Sequence, residues 1–298
     1  MRSNVERGMF DILKYRSAGY AFYLAVIVVF VGAYFFRGGF SYSVDFTGGT
    51  ELIFRFEKPV KPQMIKDVLQ KNSWDGVLVR EFSSRDYVVR VRNFSSDLQG
   101  LGGAIKSQLA SGLNQNNIEI IKIDSVGEGV GSDLGKKSMW AILLALLLML
   151  LYIAIRFRFA YSIGAVVALA HDAFVIGAFF LLFNREISVD VVGAVLMTLG
   201  YSINDTIVIF ARIRENLRNH SDSKSVYEIV NLSINQTLRR TILTSLSTAL
   251  VVVSLIVLGG EALRGLSIAL LLGIIFGTYS SIFIASPIML MFYKNKKA

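Results

Sequence analysis

An aspartate inside an apolar run is the first feature with chemical content. In "LMTLGYSINDTIVIFARIREN", Leu196 to Asn216, Asp205 follows Ser202 and Asn204 well within the apolar part. A charged side chain at the centre of a membrane helix costs about 2.5–3.5 kcal/mol on insertion scales. Such an acid persists where it serves an ion or substrate path, or where a partner neutralises it. "ALAHD" supplies two more ionisable groups, His171 and Asp172, and "RTILTS" opens with Arg240. An acid that exchanges a small cation against a guanidinium counter-charge performs ion coupling. Two close carboxyls instead split their proton affinities, as in aspartyl proteases. No Gly-x-Gly-Asp stretch accompanies Asp172 or Asp205, which weighs against the protease.

Composition decides the setting of these residues. Of 298 residues, 53% are hydrophobic and 18% charged, too apolar for an average globular domain. Cysteine is absent, which excludes a disulfide framework and a thiolate metal site. The two histidines, His171 and His220, argue against an imidazole metal centre. We assign no catalytic residue, no metal site and no cofactor.

A spanning helix needs roughly 20 mostly apolar residues. Ser17–Phe36, Thr241–Gly260 and Gly265–Tyr293 meet that length without a charge, and Ser138–Ile155 is slightly shorter. Phe159–Asn184 and Ile187–Ala211 are equally apolar but carry acids, which makes six spans. The first run is too long for a cleaved signal and ends in bulky "YFFRGG". Basic residues orient the chain. Arg2, Arg7, Lys14, Arg16, Arg156, Arg158, Arg212, Arg214, Arg218, Lys224, Arg239, Arg240, Lys294, Lys296 and Lys297 all fall on one side of a zigzag. That side is the cytoplasm, and both termini lie there. Lys136 and Lys137 are the exception. The net charge of +9 is therefore mainly a topology signal and not a nucleic-acid patch. The expected organisation is a cytoplasmic N-terminus (1–16), a first span (17–37), an outer domain (38–135), a five-span bundle (136–293) with a cytoplasmic loop (212–240), and a cytoplasmic C-terminus (294–298).

The outer segment carries eleven basic and twelve acidic residues. "TELIFRF" reads as a strand, and Pro62 opens a helix with Met64, Ile65, Val68 and Leu69 on its apolar face. "VLVREF" and "DYVVRVRN" read as paired strands. Asp97 caps a helix bearing Leu98, Leu101, Ile105, Leu109 and Leu113, and "IEIIKID" closes the series. The order βαββαβ is that of an α+β ferredoxin-like fold. It contains no nucleophile–base pair, so a docking domain is the expectation. Gly48 and Gly49, between the first span and the first strand, are its expected hinge.

Within the fourth span, Thr198, Tyr201 and Ser202 share a face with Asp205, and Gly193, Gly200 and Asn204 lie beside it. The fifth span answers with Arg240, Thr244, Ser247 and Thr248, one turn after Thr237. We therefore expect Asp205 and Arg240 to form the ion-coupling pair, with Ser202, Asn204, Thr244 and Thr248 as the supporting polar face. A structural ion pair is the rival reading. His171 and Asp172 point about 100° apart on a helix and need not share a partner, yet two ionisable groups at mid-membrane suit a relay. Asp190 reads as an acid at a helix N-terminus. Val226, Ile229, Val230 and Ile234 form an apolar stripe suited to a helix in the cytoplasmic interface.

These motifs carry a resemblance. "DFTGGT" (Asp45–Thr50), "ALAHD" (Ala168–Asp172), "GYSINDT" (Gly200–Thr206), "RIREN" (Arg212–Asn216) and "RTILTS" (Arg240–Ser245) resemble the SecF family of protein-export subunits, over the whole length. The resemblance implies membership of the ion-driven RND transporter superfamily, with Asp205 and Arg240 in proton transport. It further implies the bacterial cytoplasmic membrane, the partners SecD and the SecYEG channel, and an exported polypeptide moved with an H⁺ or Na⁺ gradient. Two positions depart from the family pattern: Ala211 replaces an acid before "RIREN", and Val126-Gly127-Glu128 replaces a proline-containing turn. An RND-type exporter of a small molecule or lipid is the alternative, although such chains carry two bundles and two large outer domains. A passive scaffold is the remaining one.

Overall fold

A computed structural model describes residues 10–81, 83–93, 97–157, 159–220, 223–260 and 263–293. Arg2, Arg7, Arg158 and the three C-terminal lysines, named above for orientation, lie outside the described residues, as does Phe82 of "VLVREF". The chain divides into two compact units: Met1–Ser41, Trp140–Glu186 and Asp190–Ala298 make one, Tyr42–Met139 and Ile187–Val189 the other.

The second unit holds the expected α+β domain. After strand β1 (Ser41–Tyr42) and one helical turn, α2 (Val44–Thr47), come β2 (Gly49–Arg55), α3 (Pro62–Lys71), β3 (Leu78–Glu81), β4 (Asp86–Val91), α4 (Leu98–Leu113) and β5 (Glu119–Val126). The sheet order is β3-β4-β2-β5, and all three pairings are antiparallel. From β2 onward this is the split-βαβ, ferredoxin-like arrangement. The core is built from alternate strand residues: Leu52, Phe54, Tyr87, Val89 and Val91 from the sheet meet Ile65, Leu69, Ile105 and Leu109 from the helices. Met64 departs from expectation. It is 50% exposed, because Ile65 and Leu69 already fill the buried stripe of α3. Asp97 caps α4 as read, accepting from the Gly100 N–H at 2.9 Å.

The first unit holds helices α1 (Arg16–Arg37), α6 (Phe159–Leu182), α7 (Val189–His220, from Asp190), α8 (Val226–Leu258) and α9 (Arg264–Ser280). The described part ends in a π-helical turn (Ser281–Ala285) and α10 (Ser286–Phe292). Helix α5 (Glu128–Arg156) enters it at Trp140. Among the described residues six helical segments are long and apolar enough to cross a membrane, the sixth running from α9 through the π turn into α10. Close approach depends on small residues. A Cβ at Gly277 of α9 would come within 2.9 Å of the Ser202 Cβ on α7, and one at Gly164 of α6 would strike the Ala285 carbonyl.

One expectation is corrected here. The apolar stripe of Val226, Ile229, Val230 and Ile234 does not form a separate interfacial helix but opens α8. Helix α7 continues to His220 and α8 begins at Val226, each without a break into its membrane portion. Ile229, Val230 and Ile234 are fully buried in the protein, and Val230 and Ile234 belong to a core that includes Ile209, Phe210 and Ile213. Their stripe covers protein and not a lipid boundary, because both neighbouring helices extend far enough to pack on each other. Ser225 and Glu228 form a reciprocal capping box at the start of α8.

Candidate functional site

Helix α6 places His171 and Asp172 at its centre, both with 0% exposure. A buried carboxylate must have its lone pairs satisfied. Here Ser202 Oγ of α7 donates to Asp172 Oδ2 at 2.6 Å, and Ser280 Oγ of α9 donates to the same oxygen at 3.0 Å. His171 Nδ1 lies 3.1 Å from Asp172 Oδ1. The two neighbours therefore do meet, since rotation about their side-chain bonds closes the angle that the helix opens. The imidazole is enclosed by the rings of Phe22, Tyr23, Phe276 and Tyr279, with centroids 5.3–6.5 Å away. Its Nε2 has no hydrogen-bond partner among the described residues.

Asp205 is 5% exposed on α7. Ser245 Oγ of α8 donates to its Oδ2 at 3.3 Å, and Thr278 Oγ1 of α9 donates to Ser245 Oγ at 2.6 Å. Among the described residues Arg240 forms no ion pair with Asp205, and it is exposed. Arg240 and Ser245 are five residues apart on one helix, roughly 7.5 Å along the axis, so the hydroxyl takes the contact that the guanidinium was expected to make.

The expected supporting face splits up. Ser202 serves Asp172 and not Asp205. Asn204 is exposed. Thr244 and Thr248 turn their hydroxyls to carbonyls of their own helix. Beside Ser202 and His171, the residues that reach the acids are Ser280 at Asp172 and Ser245 at Asp205, with Thr278 hydrogen-bonded to Ser245, while Thr206 and Ser281 lie 2.8 Å apart. The sequence signal for them is the polar run "GTYSS" (Gly277–Ser281) in the last span, which passes unremarked beside louder acidic motifs.

Two carboxyl groups with separate partners cannot share one proton. Asp172 is held by His171, Ser202 and Ser280, and Asp205 by Ser245, so the aspartyl-protease dyad is not formed. Each site instead holds one buried acid among hydroxyl groups. Hydroxyls can donate to a carboxylate, or accept from a carboxylic acid after rotating, which suits reversible loading by a small cation. Gly48 caps α2 with φ +76°, and Gly49 opens β2 with φ +108°, opposite Val126. A Cβ at Gly49 would lie 2.7 Å from the Val91 carbonyl oxygen.

Comparison with known proteins adds the family. Residues 105–295 match the model of the protein export membrane protein SecD/SecF, C-terminal, and residues 34–60 match the SecD/SecF GG motif. The protein translocase subunit SecF of Sebaldella termitidis is 36% identical over 290 residues, covering 96% of this chain and 92% of that protein. SecF of Escherichia coli O157:H7 is 38% identical over 255 residues, with coverage of 85% and 78%. The crystal structure of SecDF from Thermus thermophilus, a translocon-associated membrane protein, aligns with a TM-score of 0.85 and 32% identity. That alignment covers 98% of this chain and 39% of the SecDF chain. SecDF in a super-membrane-facing form aligns with a TM-score of 0.68 over 95% of this chain.

Proposed function

The chain belongs to the SecF family of protein translocase subunits, and from that premise we propose that it couples an ion gradient to Sec-dependent export through Asp205, in complex with SecD. As a family member it is a membrane subunit of the export machinery and not an enzyme. The single observation that carries the coupling mechanism is the pair of buried carboxylates held by hydroxyls from facing helices. An ion-binding acid needs a site from which water is largely excluded and in which both charge states can be hydrogen-bonded; the Asp205–Ser245–Thr278 chain meets that need. Asp172, with His171 behind it, is the second stage of the relay.

The SecD partnership is supported by an unfilled polar face. Arg240, Thr244 and Ser247 of α8 are exposed along a segment of membrane depth, as are Gly200 and Asn204 of α7. A Cβ at Gly193 or Gly200 would meet nothing within 4 Å. Small and polar residues of this kind do not face hydrocarbon, so another protein chain covers them. The chain spans 39% of the SecDF chain it resembles, so that protein contains a larger part with no counterpart here. In this reading the complex works beside the SecYEG channel on an exported polypeptide, with both termini of the chain in the cytoplasm.

Reconstitution tests it. Vesicles containing the chain, SecD and SecYEG should export a preprotein faster under an imposed H⁺ or Na⁺ gradient than under neither. Equal rates in all three conditions would sink the coupling reading, and the effective gradient identifies the ion.

Gly48 and Gly49 remain the joint of the outer domain. Motion there turns on Gly48, since Gly49 is held in the ladder with Val126. A cross-link that fixes the outer domain should stop stimulated export at unchanged protein level, and full activity in the locked form counts against the joint.

A further inference from the structure

The carboxylate of Asp45, in "DFTGGT", has a role that ion coupling alone leaves unassigned. Its Oδ2 accepts from Ser43 Oγ at 3.0 Å and from the backbone N–H of Val189 at 3.0 Å. The Ser43 N–H donates to the Ile187 carbonyl, also at 3.0 Å. These residues all belong to the outer unit, although 144 positions separate Asp45 from Val189. Val189 is the first residue of α7. Asp45 therefore caps that helix from a distant part of the chain, where the first N–H groups lack intrahelical partners and the dipole favours an anion. From Val189 the helix runs unbroken to Asp205 and beyond, sixteen residues or roughly 24 Å at the usual rise.

We propose that Asp45 is a positioning residue that ties the "DFTGG" turn to the start of the Asp205 helix, so that movement of the outer domain and loading of Asp205 are mechanically linked. A rigid helix passes an axial displacement along its length, whereas a first turn that has lost one N–H partner opens more readily and absorbs part of it. This rests on the coupling reading above.

The test compares Asp45→Ala with Asp45→Asn in the full chain, assembled with SecD and SecYEG in vesicles. Asparagine caps a helix about as well as aspartate, whereas alanine costs enough to raise opening of the first turn about tenfold. Amide hydrogen exchange over residues 187–192 should accelerate about tenfold in Asp45→Ala and stay within about twofold of the parent in Asp45→Asn. Under the gradient that stimulates the parent, Asp45→Ala should lose most of the stimulated export while ion flux persists, and Asp45→Asn should retain both. A residue that only stabilises the fold would lower flux and export together with protein level. Unchanged exchange in Asp45→Ala, full stimulation despite faster exchange, or equal impairment of the two variants overturns the proposal. A parent complex that shows no stimulation refutes the coupling reading instead, and the exchange measurement still judges the cap.

Discussion

Asp205→Asn is expected to remove gradient-stimulated export altogether while leaving the unstimulated rate, membrane insertion and assembly with SecD intact. The asparagine oxygen can still accept from Ser245, so the contact at 3.3 Å and the packing of α7 on α8 survive. What disappears is the ability to alternate between charged and neutral forms. The transmembrane potential supplies about 2.3 kcal/mol per charge per 100 mV, which biases occupancy of a site by about fiftyfold. No other group at that position can use this drive. Vesicles at matched protein level, assayed with and without the gradient, give the answer. Full stimulation in the variant would reduce Asp205 to a structural acid. Arg240→Lys is expected to give an intermediate loss. It keeps a positive charge on α8 but loses the planar guanidinium fork.

The second large effect concerns the outer domain. Deleting Thr50–Asp124 should abolish export assistance while the protein still inserts and binds SecD. The geometry favours a clean closure. Gly49 pairs with Val126 and Thr50 with Ser125 in the β2–β5 ladder, and the Thr50 and Ser125 hydroxyls are 2.7 Å apart. Gly49 and Ser125 are diagonal neighbours across this ladder, so the cut ends already lie close to each other. The deletion removes the domain's own core, including Leu52, Phe54, Tyr87, Ile105 and Leu109, together with the strands and helices that bury it. It leaves Asp45 and its bond to Val189 in place. The measurement is export by the deletion complex under the gradient. Normal export would show that the outer domain is dispensable.

The six spans, the βαββαβ order and the burial of Asp172 and Asp205 were legible in the amino-acid sequence. Each depends on a local property: an apolar run long enough for the bilayer, a period of two or of 3.6 residues, or an acid embedded in such a run. The cap of Asp97 and the buried stripe of Ile65 and Leu69 follow from the same short-range rules.

Which groups meet was decided only by the tertiary structure. Periodicity ranks the faces of one helix but says nothing of the stagger and rotation of the next. A shift of five residues along α8 puts Ser245 opposite Asp205 in place of Arg240. The turn of α7 toward α6 gives Ser202 to Asp172. The last span, apolar enough to pass as a plain membrane anchor, supplies Thr278, Ser280 and Ser281. Asp45 reads as part of a turn until folding brings it to Val189. Hydroxyl groups are small and carry no charge, so they leave only a faint trace in hydropathy. Their role is set by the position of a carboxylate on another helix, and that is fixed by packing.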